Sequence, residues 1–321
     1  MAGRAFGAGL VLALLAGWAA AQTPPTPAPA AEESAVLDEL APVVVKMPGP
    51  ALWKVAKRDS QVIILGYFQP LPHALDWPKG RLVAALNGAH AVLVPPDPRF
   101  SPMDALSLTF SLGAIHNPGG KTLKDVTTPS DYDRFQTYAA LAHVDMGHYA
   151  HWRPLIAATA LITDVRKVDG LSSAKPVSTV THLAKDKGVM LRIVGHIGLS
   201  SVVRNLTRLT PSQEQACFRA ALDELDWETR VARRAGDVWA AADIEGLRAL
   251  RPPRALEDCA EDLPGLKKLI DQETSEAAST LEDALSRPGK VVALVDMRYL
   301  DRQNGLLDRL RARGATISVP N

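Results

Sequence analysis

The chain has 321 residues, 47% of them apolar, with 36 basic side chains against 35 acidic ones. That is enough apolar material for one large core or two modest ones. The balanced charge, with no basic stripe interleaved with aromatics, argues against nucleic acid as a partner.

In chain order, Arg4, the apolar run Ala5 to Trp18 and the small residues Ala19-Ala20-Ala21 read as an export signal cleaved after Ala21. The run is shorter than the roughly 20 residues a membrane span needs. No other segment is long and apolar enough to cross a membrane, so the expectation is a soluble periplasmic or secreted protein with no membrane span after signal cleavage. Residues 22–42, rich in Pro and Ala, read as an extended linker, and the folded part is expected over 43–321. Leu52 to Val55 and Val62 to Leu65 read as two strands joined through Lys57-Arg58-Asp59-Ser60 as a hairpin. Asp76-Trp77-Pro78 opens a helix with Leu82, Ala85 and Leu86 on one face. Val92 to Val94 is a short buried strand stopped by Pro95-Pro96.

Leu106 to Phe110 alternates as a strand does, Asn117 to Gly120 is a turn, and Val126 to Ser130 reads as loop. From Asp131 to about Val165 the pattern is helical, with a break or kink at Pro154, and it would carry His143, His148 and His151 over a broad arc. Ser178 to Lys187 is a further helix, ended by Gly188 and followed by a strand, Val189 to Val194. Thr210-Pro211-Ser212-Gln213 combines an N-cap threonine, a first-turn proline and a capping-box glutamine, and starts a long helical region. The chain closes with a strand (Val291–Val295), a helix (Gly305–Arg313), Gly314 as its cap and a strand from Thr316. The sum is an α/β fold: a single mixed-sheet domain with a large helical insertion or cap between about 131 and 285. The two cysteines, Cys217 and Cys259, would pair as a disulfide in an oxidising compartment.

Two segments carry a family resemblance. Residues 51–72, ALWKVAKRDSQVIILGYFQPLP, and the ending KVVALVDMRYLDRQNGLLDRLRARGATISVP resemble the exported bacterial branch of the TraB/GumN family. In that family each corresponding strand leads to a Gly-x-x-His motif, and a third strand, matched here by Val92 to Val94, ends in Glu. Here the first motif keeps Gly66 but has Gln69 in the histidine place. The Glu position is Pro95, and the second motif's Gly and His fall on Asp296 and Tyr299. A further acidic position falls near Gly195 or His196. Cys217, Trp239, Ala242-Asp243 and Cys259 echo the family's Cys, Trp, Gly-Asp and Cys.

The resemblance implies a metal-binding or hydrolytic centre at strand ends, as in metal-dependent peptidases. A divalent ion needs several converging nitrogen or oxygen donors with one position left for water. An amide, a proline and a phenol replace three of them, so the expectation is no cofactor and a catalytically degenerate binding or accessory envelope protein. Tyr67, His73, His196 and Arg298 are the binding candidates, for a small polar ligand or an envelope protein. The alternative expectation is a metal-dependent hydrolase rearranged around His73, His196 or Asp296. No Gly-x-Ser-x-Gly elbow, phosphate loop or dinucleotide fingerprint is present.

Overall fold

The computed structural model describes residues 48–95, 115–195, 205, 208–251, 255–300 and 305–318. The signal and linker segments, the expected strand Leu106–Phe110 and His196 lie outside these. The first hairpin forms as expected. β1 (Leu52–Lys57) pairs antiparallel with β2 (Ser60–Tyr67) in a register that sets Val55 opposite Val62. Arg58, at φ 52°, makes the tight turn between them.

β2 does not pair next with its neighbour in sequence. It runs parallel to β7 (Gly289–Asp296), with Tyr67 beside Asp296. β7 in turn runs parallel to β4 (Ala91–Val94), and β4 to β6 (Met190–Ile193). β8 (Thr316–Ser318) flanks β1 antiparallel, giving the mixed order β6-β4-β7-β2-β1-β8. β3 (Leu71–Pro72) and β5 (Leu171–Ser172) form a separate short ladder. Four parallel strands therefore end along one edge of the main sheet, the place where α/β sheets present their sites.

The pleat sends alternate side chains to opposite faces. Val291 and Ala293 of β7 enter a core with Trp53, Ile64 and Leu93, covered by Ala278, Leu281 and Leu285 of the helix Pro264–Leu285 and by Leu307 and Leu310 of the helix Leu306–Ala312. Val292 and Leu294 enter the other core, with Tyr67, Trp77, Leu86, Trp227 and Trp239. A third core, built on Phe135, Tyr149, Leu161, Phe218 and Leu222, lies among the helices Pro129–Leu141, Pro154–Val168 and Pro211–Ala240. The fold is α/β with a mixed sheet and a helical region, which β5 and β6 interrupt. Among the described residues no helix is long and apolar enough to cross a membrane.

The helix Pro211–Ala240 starts at the expected signal. Gln213 N donates to Thr210 Oγ1 at 3.3 Å, and Thr210 N donates to Gln213 Oε1 at 3.0 Å. Cys217, on this helix, is joined to Cys259 of the helix Ala255–Glu261, with Cα atoms 5.5 Å apart. Arg153 holds Glu214 at 2.9 Å, and Arg166 grips the buried Glu228 with two guanidinium nitrogens.

Three local expectations are corrected. Val126 to Ser130 is not loop throughout. Val126 ends a short helix, Leu123–Val126, capped by Thr122 and Asp125, while Thr128 caps the helix Pro129–Leu141 with Pro129 in its first turn. The same cap-then-proline chemistry that marked Thr210-Pro211 is present at Thr128-Pro129. The helical stretch from Asp131 does not run on to Pro154 and kink there: the chain leaves the helix after Leu141, and Pro154 opens a new one. His143, at φ 57°, and His151 sit between those helices, and His148 lies in a single tight turn, Met146–His148. The helical arc expected for the three histidines is therefore absent. His148 instead packs against Tyr149 and Trp152, ring centres 4.9 and 5.0 Å away.

Candidate functional site at the carboxyl edge of the sheet

The parallel register brings together residues that are far apart in sequence. A cavity of about 120 Å³ opens where β2, β4, β6 and β7 end, beneath the helix Pro264–Leu285. Pro95 and Gly195, just beyond β4 and β6, line it with Tyr67, Asp296 and Tyr299. Gly195 holds φ 85°, which favours glycine there. The rest of the wall is mainly apolar: Leu93, Val194, Ala277, Leu281, Ala293 and Leu306, among others.

Asp296 is bound on both oxygens. Arg298 donates from Nε to Oδ1 at 3.1 Å and from Nη2 to Oδ2 at 2.8 Å, and its backbone N–H reaches Oδ1 at 2.9 Å. A one-turn helix, Met297–Leu300, places Arg298 and Tyr299 directly after the strand. The guanidinium also sits 6.0 Å from the Tyr299 ring centre, within cation–π range. The Asp296 carboxylate beside it holds the Arg298 pKa above its ordinary value. The phenol of Tyr67 is raised well above its ordinary value, first by burial and then by Asp296, so it stays protonated. The Gln69 side chain hydrogen-bonds to that phenol.

Gly66, one residue before Tyr67, is a packing glycine. A Cβ there would stand 2.5 Å from Trp53 Cζ3 and 3.0 Å from Leu300 Cδ2. Its carbonyl accepts from Trp239 Nε1 at 2.8 Å, which ties the long helix to the strand end. His73 lies elsewhere. It is exposed, is absent from the cavity wall, and its backbone N–H donates to Gly170 O at 2.7 Å beside the β3–β5 ladder.

A family model described as the TraB/PrgY/gumN family matches residues 51–319. The chain belongs to the TraB/PrgY/gumN family. No curated protein and no solved structure matches it. The positions at which this TraB/PrgY/gumN chain departs from the expected motifs gather at the edge just described. Pro95, Asp296 and Tyr299 line one cavity, and Gln69 bonds a fourth lining residue.

These residues do not fit the divalent ion that the family motifs imply. Asp296 is committed to Arg298, Gln69 to Tyr67, and Pro95 has no side-chain donor. Tyr299 offers a phenol where an imidazole would stand. Among the described residues no group of three or more His, Cys, Asp or Glu side chains is placed to hold a metal ion.

One charged group near this edge had no signal in the sequence. Glu224, on the helix Pro211–Ala240, is partly buried, and none of the described hydrogen bonds or ion pairs reaches it. Its pKa is pushed up to about 7, first by burial and then by Glu228 one turn on, with Arg298 and Arg166 pulling it part of the way back. In sequence it is one of many charges on a long polar helix. Thr274, Ala277 and Leu281 were equally hidden, because nothing local to the helix Pro264–Leu285 shows which strand ends it covers.

Proposed function

We propose that this protein is an exported member of its family that keeps the scaffold, has lost the family's hydrolytic metal chemistry, and uses the carboxyl-edge cavity to bind a ligand as an accessory protein of the cell envelope. The supporting observation is the convergence of Pro95, Asp296, Tyr299 and the Gln69–Tyr67 pair on that single cavity, with the one carboxylate among them clamped by Arg298. An unpaired carboxylate could serve a metal or act as a base; one held on both oxygens by a guanidinium serves mainly as a structural anion. The export half of the reading draws on the Arg4 to Ala21 pattern and the Cys217–Cys259 pair. Residues 22–42 are on this reading a linker, and 43–321 the working domain.

Metal analysis of the purified mature protein tests the reading. Less than about a tenth of an equivalent of Zn, Mn or Fe after dialysis is expected. A stoichiometric ion that disappears on His73→Ala or His196→Ala would establish the rearranged hydrolase instead.

A further inference from the structure

We infer that the carboxyl-edge cavity takes a small ligand with an aliphatic body and an uncharged head, such as a short-chain alcohol or primary amide, in preference to a charged or sugar-like one. This rests on the reading of the edge as a binding site and adds the chemistry of what it binds.

Each polar side chain among the described residues of the cavity wall already has a partner. Asp296 is clamped by Arg298. Thr274 turns its hydroxyl back to Ile270 O at 2.8 Å. The Tyr67 hydroxyl is held by Gln69, and the Tyr299 ring lies against Arg298. Among the described residues, most of the surface left to meet a ligand is hydrocarbon, from Leu93, Ala277, Leu281 and Leu306.

A wall whose polar groups are satisfied among themselves does not need a polar ligand to complete it, and it favours apolar contact instead. An ionised head would lose its hydration without gaining an unpaired counter-charge, because the Asp296–Arg298 pair is neutral overall. An uncharged head has a smaller desolvation cost and leaves the Asp296–Arg298 pair undisturbed. The volume sets the size: about 120 Å³ is the scale of an apolar cavity that accepts a small molecule of about six to eight heavy atoms.

The test is titration calorimetry of the full mature chain with n-hexanol, hexanamide, hexanoate, hexylammonium and glucose. Hexanol and hexanamide are expected to bind one to one, and hexanoate and hexylammonium at least about tenfold more weakly. Ala277→Phe, which fills the cavity from a partly exposed helix position, should abolish hexanol binding. Ala277→Val, a smaller change, should weaken it, with far-UV circular dichroism and thermal midpoints confirming that both variants are folded. Equal or tighter binding of hexylammonium or hexanoate overturns the inference. So does hexanol binding that survives in folded Ala277→Phe, or the absence of any hexanol binding to the wild type. Glucose binding that Ala277→Phe blocks also overturns the aliphatic assignment, yet it supports the binding site itself. A stoichiometric metal defeats the degenerate-site reading whether or not hexanol binds.

Discussion

At the scale of single residues, Gly66 and Glu224 stand for two kinds of information. Gly66 is needed because Trp53 and Leu300 fill the space where a side chain would begin. Gly66→Ala should therefore cost about 1–3 kcal/mol through overpacking, read as a lower urea midpoint with an unchanged slope. Gly80→Ala, at the start of a helix with nothing within 4 Å of the added carbon, should be neutral or stabilising by up to about 1 kcal/mol. Glu224 makes a pH prediction. Its folded-state pKa, about 7, lies above the ordinary value of 4.5. Its contribution to stability is therefore fully present below pH 4.5 and is lost as pH rises through 7. The loss is on the order of 2–3 kcal/mol. Unfolding free energies measured between pH 5 and 8 should show this fall in the wild type and a flatter profile in Glu224→Gln. An equally steep profile in the variant would remove Glu224 as its source. Gly66 was legible because it stands at the end of an apolar run in a recognisable frame. Glu224 was not, since its burial comes from helices that fold over it and not from its own surroundings in sequence.

At the scale of elements, local chemistry wrote most of the structure. The Thr210-Pro211-Gln213 start, the hairpin through Arg58 and the Gly314 cap are all set by neighbours in sequence, and all form as expected. Two departures are local: at Val126 to Ser130 the ends of two capped helices stand where composition presents loop, and through the histidines a tight turn interrupts what it presents as one helical stretch. The expected pairing of Cys217 with Cys259 forms because the helices that carry them pack side by side. Their sequence separation of 42 residues makes the closed loop worth about 4 kcal/mol in the chain-entropy treatment. Cys217→Ala with Cys259→Ala should lower the unfolding free energy by an amount of that order. A loss below about 1 kcal/mol would mean that the unfolded chain gains little freedom when the bridge is removed.

At the scale of the whole molecule, topology assembles the site. The α/β class and the helical region could be read from element order, but the strand order could not. It is the crossing from β2 to β7 to β4 that draws Tyr67, Pro95 and Asp296 together across more than two hundred residues of chain. Departures at three separate motifs, which look independent in the sequence, thereby gather at one cavity: Pro95, Asp296 and Tyr299 line it and Gln69 bonds its Tyr67. The central claim is that this cavity has given up its metal chemistry. The most direct measurement is the Zn and Mn content and affinity of the purified mature protein, set beside a variant carrying Gln69→His, Pro95→Glu, Asp296→Gly and Tyr299→His. The account expects no stoichiometric metal in the natural chain and a measurable gain in the restored one. Stoichiometric metal in the natural chain, lost when His73 or His196 is replaced by Ala, would contradict it.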